Sequence, residues 1–133
     1  MKVLFLDDSW DRLTAFRGTP TAKIVTWAET AARAIELLES DVAFDLIMLD
    51  HDLTEEHYAA QSSGGVADDS DATTGYFVAQ WIAERADRFA HTPIIVHSLN
   101  APASERMVRV LVDAGLDAHH APFAWLKVGE VPQ

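Results

Sequence analysis

The chain has 133 residues, 49% of them apolar, which suits one ordinary domain with a buried core and excludes global disorder. It has no cysteine, which excludes disulfide scaffolds, Cys-ligated zinc, iron–sulfur clusters and thiol nucleophiles. With 21 acids against 10 bases the net charge is −11, and no basic stripe is visible; extended nucleic-acid binding is excluded, while a single nucleotide or a strand end stays open.

No apolar run approaches the ~18 residues of a membrane span. The N-terminus starts on a short strand-like run, Val3-Leu4-Phe5-Leu6, followed by two aspartates, which is not a signal-peptide pattern. The expectation is a cytoplasmic protein with no membrane partner.

Lys2–Leu6 reads as a buried strand that ends at Asp7-Asp8. Ser9 or Asp11 can cap a short helix through Phe16, closed by Gly18-Thr19-Pro20. Lys23–Trp27 is a second strand. Ala28–Glu39 carries Ala32, Ile35, Leu37 and Leu38 at helical spacing. Phe44–Leu49 is apolar apart from Asp45, the pattern of a strand buried on both faces, and ends at Asp50-His51-Asp52.

The periodicity then stops. A long, acidic, Ser- and Gly-rich loop is expected at about 54–74; so long a loop inside a compact domain is a functional lid or a disordered insertion. Its Ser63-Gly64-Gly65 lacks the spacing and the lysine of a phosphate-binding loop. Tyr76–Phe89 resumes a helix with Phe77, Trp81, Ile82 and Ala86 on its core face. Pro93–Val96 is a strand ending at His97-Ser98-Leu99-Asn100. Ser104–Ala114 is a helix with Met107, Val108, Leu111 and Val112 inward, stopped by Gly115. Leu116–Ala121 is a last edge strand, and Phe123–Val128 begins a final helix.

Strands alternating with helices predict parallel βαβ units and a sheet covered on both faces. Five strands at this length predict one α/β domain over residues 1–133: a flavodoxin-like three-layer sandwich with a parallel sheet in the order 2-1-3-4-5. In that order the first, third and fourth strands are neighbours, about 4.8 Å apart. Ligands in such sheets bind beyond the carboxyl ends of the strands, where the order reverses.

Those three ends carry Asp7-Asp8, Asp50-His51-Asp52 and His97-Ser98-Leu99-Asn100. Strand ends meet polar loops, so a single aspartate there needs no function. Four carboxylates, two imidazoles, a hydroxyl and an amide in one crevice do. Crowded carboxylates raise one another's pKa unless a cation sits among them. A divalent cation is therefore expected on Asp7, Asp8 and Asp50: Mg²⁺ first, with Mn²⁺ as an alternative, and Zn²⁺ on His51, His97 and an aspartate as the rival. His51 and His97 suit general acid and base work at a phosphorus centre, and Ser98 suits a phosphate oxygen or a nucleophile's role. His57, His91, His119 and His120 receive no role. The tryptophans read as packing, with Trp10, next to the acidic pair, placed to face the crevice.

Leu6-Asp7-Asp8, Leu49-Asp50 and Pro93-Ile94-Ile95-Val96 followed by Ser98 resemble the receiver domain of two-component response regulators. That resemblance implies an acidic pair for Mg²⁺, a phosphoacceptor at Asp50 and a phosphate contact at Ser98. The receiver pattern also wants a lysine just before the proline after the fifth strand, where this chain has Ala121-Pro122. Leu49-Asp50-His51-Asp52-Leu53, Thr74-Gly75 and His97-Ser98-Leu99-Asn100 with Met107 are more similar to the divergent cyclic-phosphate processing receiver domain. This second resemblance implies cyclic-phosphate processing on nucleotides or nucleic-acid ends by Asp8, Asp50, His51, Asp52, His97 and Asn100. The expected catalytic residues are His51, His97, Asp50 and Asp52, with Ser98 and Asn100 binding substrate. The expected activity is that of a phosphoesterase, a hydrolase whose partner is a small phosphorylated ligand or a nucleic-acid end; the other class is a non-catalytic receiver-type signalling or binding module.

Overall fold

The computed structural model describes residues 1–18, 23–51, 53 and 74–121. The expected loop over 54–73, Asp52 and the expected final helix after Pro122 lie outside these described residues. In chain order the elements are β1 (Lys2–Leu6), α1 (Trp10–Arg17), β2 (Ile24–Ala28), α2 (Ala31–Glu39), β3 (Leu46–Leu49), α3 (Gly75–Ala83), a 3₁₀ turn (Ala86–Phe89), β4 (Ile94–Val96), α4 (Ala101–Asp113) and β5 (Ala118–His120). The five strands form one parallel sheet in the order β2-β1-β3-β4-β5, as the alternating pattern predicts.

Side-chain parity divides the core between the two faces. Leu4, Leu6, Ile47, Leu49, Ile94 and Val96 face one way and pack with Leu38 of α2, Val78 and Ile82 of α3, and Met107 and Leu111 of α4. Val3, Phe5, Leu46, Met48 and Ile95 face the other way, against Leu13 and Phe16 of α1. The same parity carries the next residues, Asp7, Asp50 and His97, to the α1 face.

Element boundaries differ from the sequence expectation for identifiable reasons. Ala28 belongs to β2, opposite Leu6, and α2 starts only at Ala31 because Thr30 caps it by accepting the Arg33 amide. Ala32 is exposed as a result, and Ala31, Ala34 and Leu38 form the buried row. β3 is shorter than Phe44–Leu49; Asp45 precedes it and pairs with Lys2 through both its amide and its carboxylate. α3 stops at Ala83 rather than Phe89. Arg85 turns back to donate to the Trp81 carbonyl at 3.0 Å, with its guanidinium over that indole ring, and only a 3₁₀ turn follows. α4 starts three residues earlier than expected, because Asn100 is its N-cap and Ala101-Pro102 its first turn. Its buried row is Ala103, Ser104, Met107 and Leu111, leaving Val112 exposed.

One glycine brings α3 onto the strand ends. The Gly75 amide donates to the His51 carbonyl at 3.0 Å, and a Cβ on Gly75 would overlap the Asp50 carbonyl oxygen and lie 2.7 Å from its carbon. Any side chain must therefore push α3 away from the backbone that carries Asp50 and His51. Gly75→Ala is expected to destabilise the fold by about 1–3 kcal/mol, the cost of atoms forced into a packed interior. Chemical denaturation measures it, and a variant as stable as the parent would contradict this packing.

Candidate functional site

Asp7 is the first residue beyond β1 and is fully buried. Its amide donates to the Ala28 carbonyl, and its own carbonyl accepts the Trp27 indole N–H at 2.6 Å, so the backbone is fixed before the side chain is considered. The carboxylate then accepts four hydrogen bonds: from the Ser9 amide at 2.8 Å, from Arg12 Nε at 2.7 Å and Nη2 at 2.8 Å, and from His97 Nε2 at 2.9 Å. Two oxygens with about four lone-pair sites are filled by that set.

Ser9 places Arg12. Its hydroxyl accepts the Arg12 amide at 3.2 Å and caps α1, and the Arg12 side chain folds back over the strand end. Nη2 reaches past Asp7 to Asp8 Oδ1 at 3.2 Å and Asp50 Oδ2 at 3.4 Å. One guanidinium thus touches three carboxylates from three different places in the chain. A cation in the first turn of a helix opposes the helix dipole, which favours acids there. This pairing is what offsets the cost. Sequence reading did not single out Arg12; a base in the first turn of a helix just after an acidic pair was the available signal.

His97 follows β4, with its amide on the Leu49 carbonyl. Its ring stacks on Phe5 at 4.9 Å between centroids, and Phe5 stacks on Phe16 at 5.0 Å. Burial lowers the His97 pKa, and the nearby Arg12 charge acts in the same direction, against the contrary pull of Asp7. A lowered pKa favours the neutral ring near pH 7, and in that form the contact to Asp7 assigns its proton to Nε2. For Asp7 burial alone would raise the pKa, but the hydrogen bonds from His97 and Arg12 overcome it and hold the carboxyl at about 2. Asp8 moves the other way: burial, then the Asp7 charge, raises its pKa. The Arg12 pKa is raised further, first by its bond to Asp7.

The oxygens of Asp7, Asp8 and Asp50 lie within 4.8 Å of one another. This is the acidic cluster expected from the sequence. Its all-oxygen donors fit a hard divalent cation. Among the described residues the grouping consists of these three aspartates, without His51 or His97. Three carboxylates and one guanidinium leave two negative charges at the strand ends.

The other expected residues are placed less centrally. His51 is buried beside the strand end; its amide donates to Asp50 Oδ1 at 2.9 Å and its carbonyl accepts Gly75. Ser98 Oγ accepts the Asn100 amide at 3.0 Å, and the Ser98 carbonyl accepts from Ser104 Oγ and His120 Nε2. Asn100 Oδ1 caps α4 on the Ala103 amide. Trp10 is 60% exposed, tilted against Trp27 at 5.5 Å on the flank of Asp7. Asp52 lies outside the described residues.

A family model described as cyclic-phosphate processing receiver domain matches residues 2–113. No curated protein matches the chain. Similar solved structures include the response regulator DrrB of Thermotoga maritima, at 19% identity and TM-score 0.55, covering 91% of this chain and 44% of that one. The bacteriophytochrome response regulator RtBRR gives 14% identity and TM-score 0.59, covering 99% and 80%. The non-phosphorylated HemR receiver domain of Leptospira biflexa gives 19% identity and TM-score 0.53, covering 99% and 97%. The chain spans less than half of DrrB, and at these identities the likeness is one of fold. Among the described residues no helix is long and apolar enough to cross a membrane.

The buried pair has a consequence for stability. An unfolded histidine takes a proton near pH 6.5, and folded His97 resists it, so below that pH the unfolded chain binds more protons and stability falls on acidification. Asp7, at about 2 when folded, adds a second loss below about pH 4. The melting temperature is expected to drop between about pH 7 and pH 5, less so in His97→Gln. An unchanged slope in that variant would move the effect to another group.

Proposed function

The chain belongs to the cyclic-phosphate processing receiver family, and on that premise we propose that it is a phosphoesterase opening a cyclic phosphate on a nucleotide or at a nucleic-acid end. The observation that carries the reading is the convergence of Asp7, Asp8 and Asp50 at the carboxyl ends of β1 and β3, with His97 fixed on Asp7.

Opening a cyclic phosphodiester adds water across one P–O bond. The water oxygen bonds to phosphorus and loses a proton, and the displaced ring oxygen leaves and gains one. A divalent cation on the three carboxylates, Mg²⁺ before Mn²⁺, would stabilise charge on the phosphoryl oxygens. The proposed proton carriers are His51 and His97, with Asp50 next to His51 at the strand end; Asp52 is assigned to the same set from its place in the sequence alone. The Asp7 contact sets the His97 tautomer, as the orienting carboxylate does for a general base. Ser98 and Asn100 use oxygens as acceptors on the α4 cap, so their part toward substrate is as donors, through the hydroxyl and the side-chain amide.

One observation favours a second reading. The His97 side chain has no exposed surface. A non-catalytic receiver-type module that binds a phosphorylated ligand needs no imidazole at the surface.

The two are separated by incubating the protein with 2′,3′-cyclic nucleotides and cyclic-ended oligonucleotides, in Mg²⁺, Mn²⁺, Zn²⁺ and EDTA. The phosphoesterase reading expects metal-dependent ring opening. His51→Gln and His97→Gln should then each lower turnover by about 10²–10⁴-fold while keeping a cooperative melt. A ligand-induced rise in melting temperature without turnover supports the binding module. Neither binding nor turnover across the panel overturns both.

A further inference from the structure

We propose that Arg12 is the resident cation of the strand-end cluster, that a divalent ion displaces it, and that the displaced guanidinium turns outward to hold the phosphoryl group of a ligand. The phosphate half of this inference rests on the reading above; the exchange half does not.

The argument starts from one nitrogen. Arg12 Nη2 lies 2.8 Å from Asp7 Oδ1, 3.2 Å from Asp8 Oδ1 and 3.4 Å from Asp50 Oδ2. It contacts all three carboxylates that converge within 4.8 Å. An ion bridging the same oxygens, at about 2.1 Å from each for Mg²⁺, would have to take that nitrogen's place. Two cations at that separation also repel. Ion and guanidinium are therefore alternative occupants.

The contacts are graded: the reaches to Asp8 and Asp50, at 3.2 and 3.4 Å, are the weaker ones, and the fork onto Asp7, at 2.7 and 2.8 Å, is the contact an entering ion has to break. The Arg12 side chain is already 34% exposed, so solvent lies on its outer side. Its backbone stays anchored by the Ser9 cap during any swing of the side chain. Asp7 would keep the Ser9 amide and His97 Nε2 when the fork leaves. A guanidinium released at the rim of the cluster offers the planar donor fork that suits a phosphoryl group.

The probes are Mn²⁺, Mg²⁺ and inorganic phosphate, with no cyclic substrate, so this test fails or succeeds apart from the phosphoesterase reading. Mn²⁺ binding is measured by the loss of the free-ion paramagnetic signal, in the parent and in Arg12→Met, which keeps the apolar stem. The variant is expected to bind Mn²⁺ about tenfold more tightly or better, since it has no internal competitor. In the parent, phosphate should tighten Mn²⁺ binding, and by linkage Mn²⁺ should tighten phosphate binding. In Arg12→Met that coupling should vanish. Equal or weaker Mn²⁺ binding by a folded Arg12→Met overturns the exchange, and intact coupling in the variant overturns the phosphate role. Should Arg12→Met not fold, the Arg12 Nε–H resonance of the parent decides: saturating Mg²⁺ should move it to a solvent-exposed, fast-exchanging position, and a resonance unmoved by Mg²⁺ overturns the proposal.

Discussion

A carboxylate with no solvent contact organises this end of the molecule. Taking an ionised Asp7 out of water costs several kcal/mol unless it is paired and hydrogen-bonded. Its four hydrogen bonds come from three residues, in the turn after β1, in α1 and at the end of β4. Each requirement of Asp7 therefore fixes an element. The Ser9 amide sets the turn into α1, the Arg12 fork sets the rotation of α1 over the sheet, and the His97 contact joins β1 to β4 across the intervening β3. The Phe16–Phe5–His97 stack lies directly beneath, so the polar cluster sits on an apolar floor from the same elements. That floor desolvates His97, and a neutral His97 donates its Nε2–H to the Asp7 carboxylate as a hydrogen bond.

The sheet supplies the rest by parity. In parallel strands that stop level with one another, the first residue beyond each end keeps the alternation of the strand. Phe5, Met48 and Ile95 face α1, and two residues on Asp7, Asp50 and His97 do the same. The order reverses between β1 and β3, so the helix after β1 lies on one face of the sheet and the helix after β3 on the other, and a crevice between the carboxyl ends of these two strands is what such a topology provides. Gly75 closes the other side by letting α3 meet the backbone after β3 without a side chain between them.

The strands and their order were legible because buried parallel strands are uninterrupted apolar runs, and the acidic cluster was legible because each run ends abruptly in acid. Arg12 was not. Nothing in a periodicity says that a side chain on the first turn of a helix reaches backwards by five residues, and the helix dipole argues against a base there. The helix starts at Ala31 and Ala101 were missed for a related reason. Their signals are the single capping residues Thr30 and Asn100, whose hydrogen bonds outweigh the apolar spacing that seemed to extend one helix and shorten the other. The same cap recasts Asn100: in the sequence it stands in line with the site residues, and in the fold its carbonyl oxygen is engaged by α4.

The three carboxylates are not equivalent. Asp7 is saturated with donors and strongly acidic, so it stays ionised and in place. Asp8 is partly exposed, meets Arg12 through one contact at 3.2 Å rather than a fork, and its pKa is raised by burial and by Asp7, so its charge is less compensated than that of Asp7. Asp50 has one oxygen on the His51 amide and the other at long range from Arg12. A cation that enters meets the least compensated charge at Asp8 and reaches Asp7 only where the Arg12 fork gives way. An anion meets the opposite situation, since the cluster carries two negative charges and repels phosphate until positive charge is added. For a cation and a phosphate offered together, these charges favour the cation first and the phosphate second.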